Sequence, residues 1–568
     1  MKLILKQYLS GLKERSELDA ILPCLLSQMG LNVFISPTRG VKEYGVDIAA
    51  VGKIGDAQEK VYLFSVKAGN LTRSTWSGNT DQALRPSLDE ILDAFIPSRI
   101  PPEHKTKPIV ICMCFGGDVS SGIRQEVTGY TSRMSNDSLN FEEWNGDKLS
   151  DLIIENLLQQ ELLPNDWQSL LRKSLALLDE PQASHIHFQR LVREILNGID
   201  DDTDKITRSL NCVNLCLWVL FSWCREGRNL ESAYLSAEFS ALYAWRVRKA
   251  SSKTKVVSAY EGLLETYNKI TNNFLDECII PFVDQQHAIS VAVNSPCSID
   301  INLKLFDLLG RLAVKGQWLL HHLSQNYIKN PPTNGENQEQ EAIRKELEST
   351  TRSIKLMVVN NPALLSPYSD SQAIEIFLAV HLLTQNSDHD IFVKDWLEHL
   401  VDRSTFSYKT NSMYPCNLYT YEQLLSHKNL EEHTASYKEK ITRGSILYPT
   451  LLLFSELHQQ NSLSQSIEKF IREELSHCTL QYWHPNSSSE ENLYTNTSAH
   501  GSSSVINDPS AKAVIEHCYE DCKHSSDFWQ LSAVKNGYLP LTLIASRYYR
   551  HPVPLHILEP LLEDYLTG

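Results

Sequence analysis

Two charged residues interrupt runs that otherwise read as buried strands: Asp47 in "EYGVDIAAVG" (residues 43–52) and Lys67 in "KVYLFSVKAG" (residues 60–69). An isolated buried carboxylate and an isolated buried ammonium are each costly. Paired, with a divalent cation between the carboxylate and a substrate phosphate, both charges are accounted for. Hydrolysis of a phosphodiester needs those parts. A carboxylate and neighbouring oxygens hold Mg²⁺ or Mn²⁺, which polarises the phosphoryl group, and a lysine stabilises charge and positions the attacking water or helps deprotonate it. Asp47 fits the metal and Lys67 the water. Strand alternation puts Val61, Leu63, Ser65 and Lys67 on one face, so Lys67 emerges beside Ser65 at the strand's end.

The elements that must position this pair are legible in the first 160 residues. "SELDAILPCLLSQMG" carries a helical apolar stripe stopped by Gly30, and "LNVFISP" reads as a strand ended by Pro37. "YGVDIAAVG" and "KVYLFSVKA", joined by the polar "KIGDAQE", form a hairpin signature. There follow a helix around 86–96, the continuous apolar strand "PIVICMCF", a helix near 120–131, the strand "LNFEEW" and the helix "DKLSDLIIENLL". This α-β-β-β-α-β-α-β-α order predicts a mixed sheet flanked by helices, with "PIVICMCF" as a central strand covered on both faces. "FGGDVSSG" (115–122) has neither the Lys-Ser/Thr of a phosphate loop nor the dinucleotide glycine spacing.

A helix bearing an acid, then "GVD" on one strand, then an apolar strand ending in x-Lys, here "FSVK", resembles the PD-(D/E)XK restriction-endonuclease-like superfamily. The resemblance is strongest to its Mrr-type members and to the N-terminal nuclease modules of bacterial anti-phage effectors, and it covers residues 12 to 155. It implies a metal-dependent DNA endonuclease in a prokaryotic defence system, with Asp47, Lys67, Ser65 and a helix acid as the catalytic set. The family usually has Glu or Gln where this chain has Ser65. A serine brings an oxygen without a formal charge, so another carboxylate must compensate. The helix offers Glu17, the longer side chain, and Asp19, favoured by its spacing to the glycine; both stay open as metal ligands beside Asp47. The rival implication is a degenerate nuclease fold serving as a DNA-binding or assembly module, and Ser65 is its mainstay.

Beside the site, "KAGNLTRSTWSGNTDQALRPS" supplies Arg73 and Arg85, several hydroxyls, and Trp76 as an aromatic for base stacking. Arg39 and Lys42 add to that edge. A second cluster, "EHCYEDCKH", has Cys518 and Cys522 at i, i+4 with His517 and His524 nearby. His517 and Cys518 point about 100° apart on a helix, which favours core cysteines over a zinc site.

From about 161 onward the pattern is helical almost throughout, divided into helical domains at 161–328 and 347–568 by a polar linker at 329–346. The second domain contains a stretch rich in Asn and Ser at 484–510, expected to be an exposed, mobile loop. The longest apolar run, "LNCVNLCLWVLFSWC" (210–224), is shorter than a bilayer span and is bracketed by Arg208 and Arg225, so it predicts a buried helix and no membrane role. Twelve cysteines without a secreted-type framework, and no signal-peptide pattern, point to a cytoplasmic location. The first 150 residues hold 17 Lys+Arg against 18 Asp+Glu, or −1, leaving −15 of the total −16 for the remainder. Such an acidic helical bulk argues against wholesale nucleic-acid coating. It suits a region that senses a trigger, forms a homo-oligomer or docks partner proteins of a defence complex, with DNA met by the N-terminal module.

Overall fold

The computed structural model describes residues 6, 9–10, 18–36, 44–54, 58–78, 83–156, 165–199, 202–331, 337–498 and 500–567. The chain divides into two compact units, residues 1–240 with 250–270, and residues 241–249 with 271–568.

In the first unit, helix α1 (Asp19–Gln28) ends where Gly30 takes φ +83°, a conformation that costs glycine nothing. The N–H of Leu31 then donates to Leu26 O and that of Gly30 to Ser27 O, satisfying the last carbonyls. Strands β1 (Asn32–Ile35), β2 (Ile48–Gly52), β3 (Lys60–Lys67), β4 (Ile109–Phe115) and β5 (Leu139–Trp144) form one sheet in sequence order. β1, β2 and β3 pair antiparallel; β3, β4 and β5 pair parallel. The sheet is therefore mixed, and the order of strands and helices is the one read from the sequence.

Helices α2 (Arg73–Ser77) and α3 (Leu84–Glu90) make the β3–β4 crossover. α3 runs on through a π-helical turn (Ile91–Phe95) into a last turn, Ile96–Arg99. Helix α4 (Arg124–Met134) joins β4 to β5, and α5 (Gly146–Asn156) follows β5. One sheet face, with Val61, Leu63, Ile111, Met113 and Phe115, packs with Leu84, Leu88, Ile91 and Tyr130 in a single apolar cluster. The other face carries Ile48, Tyr62, Phe64, Val110 and Cys112, with buried Leu22, Leu25 and Leu26 of α1 and Leu149 and Ile153 of α5. The middle strand is β3; β4, lying between β3 and β5, is buried on both faces, as an interior parallel strand should be.

The remainder of the chain is predominantly helical. The apolar run 210–224 lies in helix Thr203–Glu226, whose first turn is capped by the Asp202 carboxylate accepting from the N–H groups of Asp204 and Lys205. Among the described residues no helix is long and apolar enough to cross a membrane. The second unit is built on helix Ser298–Lys329, packed against Gln338–Asn360 and the almost wholly buried Ala373–Thr384. It also holds a small sheet that the helical pattern did not announce: β6 (Gly444–Ser445), β7 (Thr479–His484) and β8 (Ser502–Ile506), in that order. β8 and the four-residue helix Ser489–Asn492 both fall within the polar stretch 484–510.

Candidate active site

β2 runs antiparallel and β4 parallel to β3, so the start of β2 and the ends of β3 and β4 lie at the same end of the sheet. Asp47 precedes β2 and Lys67 closes β3, which brings both to that end. The regular register ends at the Ile48–Phe64 pair, and Asp47 makes two further bonds to β3. Its backbone N–H donates to Phe64 O at 2.9 Å. Its Oδ2 accepts the backbone N–H of Val66 at 2.6 Å, so the carboxylate continues the ladder where the strand no longer can.

Val66 is flanked by the two other residues singled out on this strand. Ser65 is fully buried, and among the described residues its hydroxyl has no hydrogen-bond partner. Lys67 is only 7% exposed. Gly45, two residues before Asp47, has φ +78°, and a Cβ there would lie 2.1 Å from Ser87 O of α3. Only glycine lets the chain pass this close to α3 and still present Asp47 to β3.

The helix acids are less defined. Glu17 lies outside the described residues, as do Arg39 and Lys42. Asp19 opens α1 as a backbone position. Among the described residues, no group of three or more His, Cys, Asp or Glu side chains forms a metal-holding set. The Asp47 carboxylate and the Ser65 hydroxyl are hard oxygens of the kind Mg²⁺ and Mn²⁺ take, and Mg²⁺ sites often use one or two carboxylates with water filling the rest. One oxygen of the Asp47 carboxylate is already engaged by Val66.

The flanking segment separates into surface and core. Arg73, the first residue of α2, is exposed. Arg85 of α3 is also exposed, its guanidinium 5.6 Å from the centre of the Tyr130 ring. Trp76, expected to offer its face to bases, is instead 1% exposed. Its ring meets Tyr130 edge-on at 5.6 Å inside the apolar cluster, so it anchors the arginine-bearing helices and does not stack on a ligand. The Tyr130 hydroxyl donates to Asp89 at 2.6 Å, and burial together with that carboxylate pushes its pKa well up.

Several acids near the ends of the parallel strands were not singled out in the sequence. Asp118 follows β4 and Asp147 opens α5, and both pair with Lys6, at 3.2 and 2.9 Å. Glu142 on β5 accepts from Lys148 at 2.7 Å and from the Trp144 indole at 3.0 Å. Burial alone would raise the Glu142 pKa, but Lys148, the Trp144 indole and Lys60 together outweigh it and the net shift is downward. For Asp118 and Asp147 the available signal was positional: each lies three residues past the end of a parallel strand, where α/β sheets collect their ligands. The glycines of "FGGD" have a packing explanation. A Cβ on Gly116 would lie 1.8 Å from Leu9 O, and one on Gly117 would lie 2.1 Å from Asn70 Oδ1.

The cysteine–histidine cluster does not assemble. Cys518 and Cys522 are buried in helix Ala511–His524, and burial pushes both thiols up, Cys522 to about 12. His524 stands in solvent beside Glu520.

The chain matches no protein-family model, no curated protein and no solved structure.

Proposed function

We propose that the N-terminal module is a metal-dependent DNA endonuclease using Mg²⁺ or Mn²⁺, and that the helical remainder senses a trigger, oligomerises or docks a partner within a prokaryotic anti-phage system. One observation supports this reading: Asp47 accepts the N–H of Val66, the residue between buried Ser65 and Lys67, at the end of the middle strand of a mixed sheet, in the order of the PD-(D/E)XK resemblance. In this reading Asp47 and Ser65 hold the metal, with Glu17 or Asp19 as the second acid, and Lys67 orients the attacking water. The bound ion supplies Lewis acidity at the phosphoryl oxygen. Arg73 and Arg85 contact the DNA backbone and set position rather than sequence.

The test is cleavage of supercoiled plasmid by the full chain with Mg²⁺, Mn²⁺ or EDTA, alone and with lysate fractions from phage-infected cells. Metal-dependent nicking or linearisation that Asp47→Asn and Lys67→Ala both lose supports the reading. Cleavage unchanged in both variants overturns it.

A second reading has its own observation. Ser65 brings no charge, and the Asp47 carboxylate already serves the backbone, as it would in a degenerate module that binds DNA without cutting it. Tight, salt-sensitive DNA binding without cleavage under any metal, lost in Arg73→Ala and Arg85→Ala, favours that alternative.

A further inference from the structure

In the second unit, a cavity of about 450 Å³ opens between β7, β8 and the segment that follows helix Leu539–Tyr549. Trp483 forms part of its wall, and the hydroxyls of Ser488, Thr497, Ser498 and Ser503 line it. His500 and His551, 51 residues apart, meet there with their Nε2 atoms 3.2 Å apart. His551 Nε2 also lies 3.1 Å from the backbone oxygen of Asn496. The rings are held in place: Trp483 donates its indole N–H to His500 O at 2.7 Å and stacks nearly parallel on His551.

Neutral imidazoles do not satisfy this arrangement well. If His551 Nε2 carries the proton, it serves Asn496 O and the His500 Nε2 lone pair, and the His500 proton sits on Nδ1, which is buried and has no partner among the described residues. If instead His500 Nε2 carries the proton, the His551 Nε2 lone pair faces the Asn496 oxygen lone pairs at 3.1 Å. A cation accepts both Nε2 lone pairs and the carbonyl oxygen together. Two ligand atoms about 2.0–2.1 Å from a tetrahedral zinc ion lie about 3.3 Å apart, close to both separations seen here.

We propose that His500 and His551, through their Nε2 atoms and with the Asn496 carbonyl, form a binding site for Zn²⁺ that opens onto this cavity. Imidazole selects a transition ion over Mg²⁺. With no third His, Cys or carboxylate gathered among the described residues, the remaining position belongs to water held by the serine and threonine hydroxyls, or to an exogenous ligand. The site is open and exchangeable. It is independent of the N-terminal nuclease reading, since it uses none of the same residues.

The experiment is Zn²⁺ titration of the full chain against a chromophoric chelator, in an Asp47→Asn background to silence the N-terminal carboxylate. One equivalent should bind, and affinity should fall at least tenfold in His500→Gln and in His551→Gln, both of which retain side-chain bulk. His517→Gln, outside the cavity, should bind as the parent does. X-ray absorption of the zinc-loaded parent chain provides a readout that needs no variant. Two imidazole nitrogens in a mixed nitrogen–oxygen shell are expected. No zinc binding, unchanged affinity in folded His551→Gln, or a shell containing sulfur or only oxygen overturns the assignment.

Discussion

The Asp47 carboxylate accepts the backbone N–H of Val66 at 2.6 Å, so the residue with the clearest chemical assignment also holds the end of the β2–β3 ladder together. Its structural and chemical roles are separable by substitution. Asn keeps an acceptor oxygen for Val66 but removes the charge. Asp47→Asn should therefore leave the urea midpoint nearly unchanged while lowering metal-dependent cleavage at least a hundredfold. Asp47→Ala leaves Val66 without its partner and should cost about 1–3 kcal/mol in addition. Equal destabilisation by both, with equal activity, would show that the charge has no separate role.

Ser65 supplies a second test, because its hydroxyl is buried without a partner among the described residues. Ser65→Ala removes an unsatisfied group and should be neutral to stabilising in metal-free denaturation, by up to about 1 kcal/mol. Ser65→Glu restores the acidic residue usual in the resembling family. At a fully buried position it should lower metal-free stability and regain it with Mg²⁺, with tighter Mg²⁺ binding by calorimetry. A folded Ser65→Glu protein indifferent to Mg²⁺ would remove Ser65 from the metal's surroundings.

Trp76 and the arginines near it should respond in opposite ways. Trp76→Ala empties a core position and should cost about 3–5 kcal/mol in thermal or urea unfolding. Arg73→Ala and Arg85→Ala, on exposed side chains, should leave unfolding within about 0.5 kcal/mol and weaken DNA binding with a shallower salt dependence. DNA affinity independent of both arginines would place the nucleic-acid contact elsewhere.

Acid should destabilise the second unit. Burial pulls the pKa values of His381, His427 and His556 down to about 4 in the folded state, against about 6.5 when unfolded. Between those values the unfolded chain binds more protons, so stability is complete above about pH 6.5 and falls as pH drops toward 4. Asp370 acts in the opposite direction. Burial raises it to about 6 despite hydrogen bonds from Ser445, Ile446 and Leu447, so it favours the folded state as pH drops through 6, offsetting part of the loss. The net expectation is a fall on the order of several kcal/mol between pH 7 and 4.5, read as the urea midpoint of a second-unit probe such as Trp396 fluorescence. A flat profile would mean that these imidazoles are not buried neutral.

What the sequence alone determined is the set of local patterns. The stripe ending at Gly30, the alternation across 61–67 and the two-sided apolar run at 109–115 each follow from backbone periods that need no partner, and together they set out the succession of helices and strands along the N-terminal module and its mixed sheet. Alternation also placed Ser65 and Lys67 on one face. Tertiary structure decided the rest. Trp76 became a core residue because Tyr130, 54 positions later, packs against its ring. The pairing of β7 with β8 had no repeating signal in a stretch dominated by serine and asparagine, since a short edge strand takes its stability from the strand beside it. The Asp47 bond to Val66 and the meeting of His500 with His551 depend on where separate segments are brought together. Periodicity records which face a residue occupies; only packing fixes which distant atom it meets there.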